Sequence, residues 1–173
     1  MRQAVFLVGM MGAGKSSVAR ELGKKLGCEV FDSDTVIQEE AGMTIPEIFS
    51  REGEAGFRAR ERAAIEKLAA RGGVVALGGG AMAQPGAPER LRASGIVVYL
   101  RARAETLARR VGTGQSRPLL AGLDEMGRLA KLRELLAQRE PAYRRAHHVV
   151  DADHGNPRRV AREIAALLSG APQ

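Results

Sequence analysis

Residues 9–17 read GMMGAGKSS, which fits the spacing Gly-x-x-x-x-Gly-Lys-Ser. Gly9, Gly12 and Gly14 let the backbone curl so that its N–H groups point inward at phosphate oxygens. A helix beginning near Lys15 aims its positive dipole end at the same place. Lys15 can then reach the β- and γ-phosphates of a nucleoside triphosphate, and the Ser16 hydroxyl can ligate Mg²⁺. The context this motif needs is strand, loop, helix, and it is met: AVFLV precedes and the amphipathic SSVARELGKKL follows. Gly12, Ala13, Gly14, Lys15, Ser16 and Ser17 are the expected nucleotide-binding set. The loop accounts for a held triphosphate but not for the destination of its terminal phosphate.

A metal on the triphosphate calls for an Asp at the end of a buried strand. Two stretches have that form, VFDSD at 30–34 and VVDAD at 149–153, and pattern alone does not separate them. The most apolar candidate strand, Val74 to Leu77, ends in Gly78-Gly79-Gly80 with no acid. Chain position favours VFDSD. It follows the helix of the phosphate loop, so a right-handed crossover brings Asp32 and Asp34 to the sheet edge that carries Ser16. In extended backbone, residues two apart face one way, which would turn both carboxylates into the cleft. Asp32 is assigned to the metal with Ser16, and the 149–153 pair to solvated turn acids.

Phosphoryl transfer needs cations for the phosphates and a rigid grip on the acceptor more than it needs covalent help. Arg117 lies in the Gly-bounded stretch 112–122, which reads as a mobile lid able to close over the γ-phosphate. Arg58 has Glu61 three residues on, a helical spacing that can hold a guanidinium in place, and its planar fork suits a carboxylate. The triple glycine marks close approach of backbone to a ligand. Arg139 has a weaker case, being one arginine among Arg133, Arg144 and Arg145.

The elements that must position these groups alternate between strand and helix patterns, the signature of βαβ units and a parallel sheet. Strands are predicted at Ala4 to Val8, Glu29 to Phe31, Val74 to Leu77, Ile96 to Leu100 and His148 to Asp151. Helices are predicted at 15–26, 35–41, 45–51, 54–70, 89–93, 104–111, 125–143 and 157–168, with Pro141 breaking the seventh in two. All 173 residues read as one domain, with an acceptor-binding region at 33–61, a lid at 112–122 and a frayed GAPQ tail.

Hydrophobic content of 45% and charged content of 27% place the chain among soluble globular proteins. Cys28 is the only cysteine, so an internal disulfide and a cysteine metal cluster are excluded; it reads as a small core residue in a reducing compartment. The apolar run at the start is too short for a signal or a membrane span. The chain is therefore expected to be cytoplasmic, without a membrane partner, and a monomer. A net charge of +7 attracts anions in general, but aromatics amount to 3% and lie scattered, so no platform for stacking bases exists and nucleic acid is not an expected partner. His147 and His148 are read as one packed and one solvated residue rather than as ligands.

The phosphate loop, FDSD, GEAGFRARE, GGG, RPLL and REPAYRR occur in this order, and with them the chain resembles shikimate kinase over essentially its whole length. The resemblance implies a three-layer αβα P-loop kinase fold, an α/β architecture with a five-stranded parallel sheet in order 2-3-1-4-5 and a mobile lid. It implies ATP as co-substrate, Mg²⁺ as cofactor, and transfer of the γ-phosphoryl group to the 3-hydroxyl of shikimate in aromatic amino-acid synthesis. Asp34 is similar to the acid that binds the shikimate hydroxyls, Arg58 and Arg139 to the two carboxylate-facing arginines, and Gly79 and Gly80 to the glycines beside the ring. Arg117 resembles the lid arginine on ATP, and Arg110 and Pro157 the residues flanking adenine. Lys15, Asp34 and Arg117 are thus the expected catalytic groups. A kinase for another polyhydroxylated acid, such as gluconate, shares the loop and the strand-two Asp. A GTP switch would need an Asn-Lys-x-Asp string, which does not occur.

Overall fold

All five predicted strands form, shifted by at most one or two residues: β1 (Ala4–Val8), β2 (Val30–Asp32), β3 (Gly73–Ala76), β4 (Gly95–Arg101) and β5 (His148–Asp151). The structure is a computed structural model that describes residues 3–114 and 117–170. Gln115 and Ser116 of the lid stretch, and Ala171 to Gln173 of the tail, lie outside the described residues. The strands pair in parallel in the order β2-β3-β1-β4-β5, as the resemblance implies. β1 is central and every one of its residues is buried, which is why AVFLV is apolar at successive rather than alternate positions. Helices cover both faces: α1 (Lys15–Leu26) packs with α7 (Pro157–Ser169), and α5 (Ala104–Val111) with α6 (Glu125–Tyr143). No helix of the described residues is long and apolar enough to cross a membrane.

Between β2 and β3 lie α2 (Ser33–Ala41) and α3 (Ile45–Arg71). Thr44 and Glu47 close a capping box at the start of α3. The two helices predicted at 45–51 and 54–70 meet at Gly53, whose φ of 69° breaks the helical path inside α3. Ile37, Ile48, Phe57 and Ala64 form a small apolar cluster of their own, separate from the main core around the sheet. A short helix, α4 (Ala87–Ser94), leads into β4.

Three expectations change. First, α6 runs unbroken through Pro141. The proline sits in the final turn, where it removes one N–H bond, and burial of Tyr143 just beyond it holds the helical path. Second, α2 starts at Ser33, so Asp34 is in a helix rather than an extended strand. Asp32 caps that helix: its Oδ1 accepts from the N–H groups of Asp34 (3.0 Å) and Thr35 (3.3 Å). The two carboxylates are neighbours through a helix cap and not through strand alternation. Third, Cys28 is only half-buried at the rim of the core.

Candidate functional site

The carboxyl ends of the parallel strands open on one cleft of about 960 Å³. The phosphate loop forms one wall. Gly9 has a φ of 142°, and a Cβ there would lie 2.7 Å from the Leu100 carbonyl oxygen of β4, so no larger residue fits. Gly14 caps α1 at a φ of 91°. Ala13 is buried and is not among the residues lining the cleft. Lys15 Nζ donates to the carbonyls of Gly9 (2.7 Å) and Met10 (3.0 Å). Burial, and next the nearby Arg117 guanidinium, push the Lys15 ammonium down to about 8 against the pull of Asp34 and Asp32.

At the end of the loop, Ser16 Oγ donates to Asp32 Oδ2 at 3.1 Å. A hydroxyl and a carboxylate at the mouth of a phosphate loop are hard oxygen donors, and Mg²⁺ on a nucleotide takes few protein ligands besides phosphates and waters. These two residues fit that ion. The 149–153 acids do not compete: Asp153 is tied to the N–H of Arg103 at 2.8 Å, and Asp151 Oδ1 accepts from the Asp153 N–H.

The triple glycine forms the floor. A Cβ placed on Gly78 would meet Asp34 Oδ1 at 2.8 Å, one on Gly79 would meet Arg139 Nη1 at 3.2 Å, and one on Gly80 would meet Arg58 Nη2 at 2.7 Å. Three successive residues without side chains thus each face a different charged group. Burial, and then the Asp32 carboxylate, raise the Asp34 carboxyl above its ordinary value, while Lys15, Arg117 and Arg58 oppose the shift. Arg58 Nη1 donates to Glu61 Oε1 at 2.8 Å, the pair expected from their spacing. Glu61 is only 3% exposed, and burial raises its carboxyl in spite of that bond. The Arg58 guanidinium also lies over the Phe57 ring, 5.1 Å from the centroid.

A family model described as shikimate kinase matches residues 11–169. The shikimate kinase of Halorhodospira halophila is 49% identical over 170 residues, 97% of this chain and 94% of that protein. The chain belongs to the shikimate kinase family. Among solved structures, a shikimate kinase from Acinetobacter baumannii in complex with shikimate is similar with a TM-score of 0.88 and 42% identity, covering 97% of this chain and 93% of that one. One from Bacteroides thetaiotaomicron is similar with a TM-score of 0.89 and 31% identity, covering 96% and 98%.

In this shikimate kinase fold, Lys15, Ser16, Ser17, Asp32, Asp34 and Arg58 border the same cleft as Gly12, Gly14, Gly79, Gly80, Arg110, Arg117 and Arg139. Arg110 bonds the Ala152 carbonyl at 2.6 Å and so links α5 to the turn after β5. Pro157 is exposed at the start of α7 and stands outside the cleft lining. Ile45, Pro46, Phe49 and Phe57, none of them a predicted site residue, also line the cleft. Phe49 and Phe57 pack ring to ring at 4.7 Å across the Gly53 kink. Their signal was present in the sequence: two aromatics eight apart in a chain with six.

Proposed function

We propose that the cleft transfers the γ-phosphoryl group of ATP to the 3-hydroxyl of shikimate, with Lys15, Asp34 and Arg117 as the groups nearest the reaction. As a member of its family the chain is a shikimate kinase, a phosphotransferase with an alcohol acceptor serving aromatic amino-acid synthesis. The observation that carries the residue assignment is the glycine floor. It sets a carboxylate and two guanidiniums around one small space, matching an acceptor that has hydroxyls and one carboxylate. Arg58 and Arg139 grip the acceptor carboxylate, and Asp34 orients its hydroxyl. Gly12, Ala13, Gly14, Ser16 and Ser17 cradle the phosphates, and Arg110 borders the nucleotide side. Ser16 and Asp32 would hold Mg²⁺, which supplies neutralisation of phosphate charge when bound. Action as a monomer in the cytoplasm is part of the same proposal.

The test is ADP release with shikimate, gluconate and nucleoside monophosphates offered separately. Shikimate alone is expected to stimulate it. Stimulation by gluconate or a nucleoside monophosphate, with shikimate inert, would overturn the reading.

Lys15 adds a pH dependence. A phosphate binds the ammonium form, and in the free protein that form is lost as pH rises through about 8. Between about pH 7, where the terminal phosphate of ADP is already ionised, and pH 8 the affinity is therefore expected to be flat, and above that to fall about tenfold per unit. Calorimetry in the presence of EDTA reads this directly, and Lys15→Arg is expected to remove the bend because guanidinium does not titrate in that range. A flat profile well into the alkaline range would count against the assignment.

A further inference from the structure

Two phenols stack in the core, Tyr99 of β4 and Tyr143 at the end of α6, with ring centroids 5.0 Å apart. Both residues are buried, but they are not equivalent. The Tyr99 hydroxyl has no hydrogen-bond partner among the described residues. The Tyr143 hydroxyl donates to the Gly79 carbonyl, the middle residue of the glycine floor, and lies 3.8 Å from Met10 Sδ of the phosphate loop. Burial pushes the Tyr143 phenol up to about 12, so it keeps its proton, and its role as donor, across any working pH.

Gly79 is the point where donor and acceptor walls meet. A Cβ added at Gly79 would lie 3.2 Å from Arg139 Nη1 and 3.6 Å from the Gly9 carbonyl oxygen. In a trans peptide the C=O and the next N–H point in opposite directions, so a carbonyl held on Tyr143 turns the Gly80 N–H away from the core. Arg139 and Tyr143 are four residues apart on α6 and so project from one helix face, with Pro141 between them. One turn of helix therefore carries both the cation that a Gly79 Cβ would meet and the phenol that holds the Gly79 carbonyl.

We infer that Tyr143 is a positioning residue for the acceptor: its phenol pins the Gly79 peptide and keeps Arg139 in register with it. The inference rests on the reading of Arg139 and the glycines as the acceptor grip. Without the phenol the half-buried Gly79 carbonyl loses the donor that fixes it, and the peptide and the last turn of α6 are no longer held in one arrangement. A shift of about 1 Å in a positioned group can cost up to about a hundredfold in rate.

The experiment compares Tyr143→Phe, Tyr99→Phe and Arg139→Lys. Tyr143→Phe keeps the ring and its packing and is expected to lower kcat/KM for shikimate about tenfold, mainly through KM, with KM for ATP within about twofold of the parent. Tyr99→Phe removes a phenol without a partner among the described residues and is expected to leave both substrates' parameters unchanged. Combining Tyr143→Phe with Arg139→Lys is expected to cost less than the product of the two single effects, because both act on one arrangement. Unchanged shikimate parameters in Tyr143→Phe, whatever its Tm, would overturn the inference, as would a parallel loss for both substrates or strict additivity with Arg139→Lys. If Arg139→Lys leaves KM for shikimate unchanged, the acceptor grip itself fails; if Arg139→Lys raises it and Tyr143→Phe does not, the inference alone fails.

Discussion

Asp34→Asn is expected to lower kcat by about 10² to 10⁴ while the dissociation constant for ATP stays within about threefold. Asparagine keeps the size of the side chain under Gly78 but loses the negative charge and the ability to take a proton. A carboxylate with a reference pKa of about 3.9 and an alcohol near water's value of about 15.7 differ by roughly 12 units. Full deprotonation before attack would thus cost about 16 kcal/mol at about 1.36 kcal/mol per unit. The raised pKa of Asp34 narrows that gap without closing it. In a loose transition state the proton leaves late, so in the proposed mechanism the carboxylate would hold the hydroxyl in line and accept the proton as the new bond forms. Steady-state kinetics with nucleotide titration checks this. Turnover near that of the parent would remove Asp34 from the mechanism.

Arg117→Ala is expected to lower kcat by about 10³ or more, in the range found for arginines that meet charge developing on a transferred phosphoryl group. The residue borders the cleft. Its N–H bonds the Gly114 carbonyl at 2.9 Å and its carbonyl accepts from Ala121 at 3.0 Å. Leu120, three residues on, is fully buried and ties the end of the stretch to the core. From there the guanidinium lowers the pKa values of both Lys15 and Asp34, one cation and one carboxylate on opposite walls. Because that charge is needed most in the transition state, ADP affinity is expected to change less than about tenfold. Single-turnover measurements at saturating shikimate separate the two quantities. A loss of ADP affinity as large as the loss in kcat would make Arg117 an ordinary nucleotide ligand.

How far the sequence could be read depended on the distance over which each feature is determined. The phosphate loop was legible because its glycines, lysine and serine are consecutive and set their own backbone path. The Arg58–Glu61 pair was legible because helical spacing brings residues three apart together. The sheet was legible from apolar runs, although its order came from the family resemblance, since nothing local states that β1 lies between β3 and β4. The local rules misjudged Pro141, where burial of Tyr143 outweighs one missing bond, and Asp34, where a carboxylate cap starts a helix two residues earlier than propensity implied. The contact of Tyr143 with Gly79 spans 64 residues. A tyrosine in REPAYRR carries no mark of that partner, and only the folded path of α6 supplies it.

The small cluster of Ile37, Ile48, Phe57 and Ala64 is set apart from the main core and lies beside the kink at Gly53. It gives the chain a division of labour in its tolerance of change. Asp34 and Arg58 stand on helices that rest on a few apolar side chains of their own, while the phosphate loop, the triple glycine and Arg139 stand on elements of the main core. A substitution among Ile37, Ile48, Phe57 and Ala64 is therefore felt first at Asp34 and Arg58, and the frame under the phosphate loop is left standing.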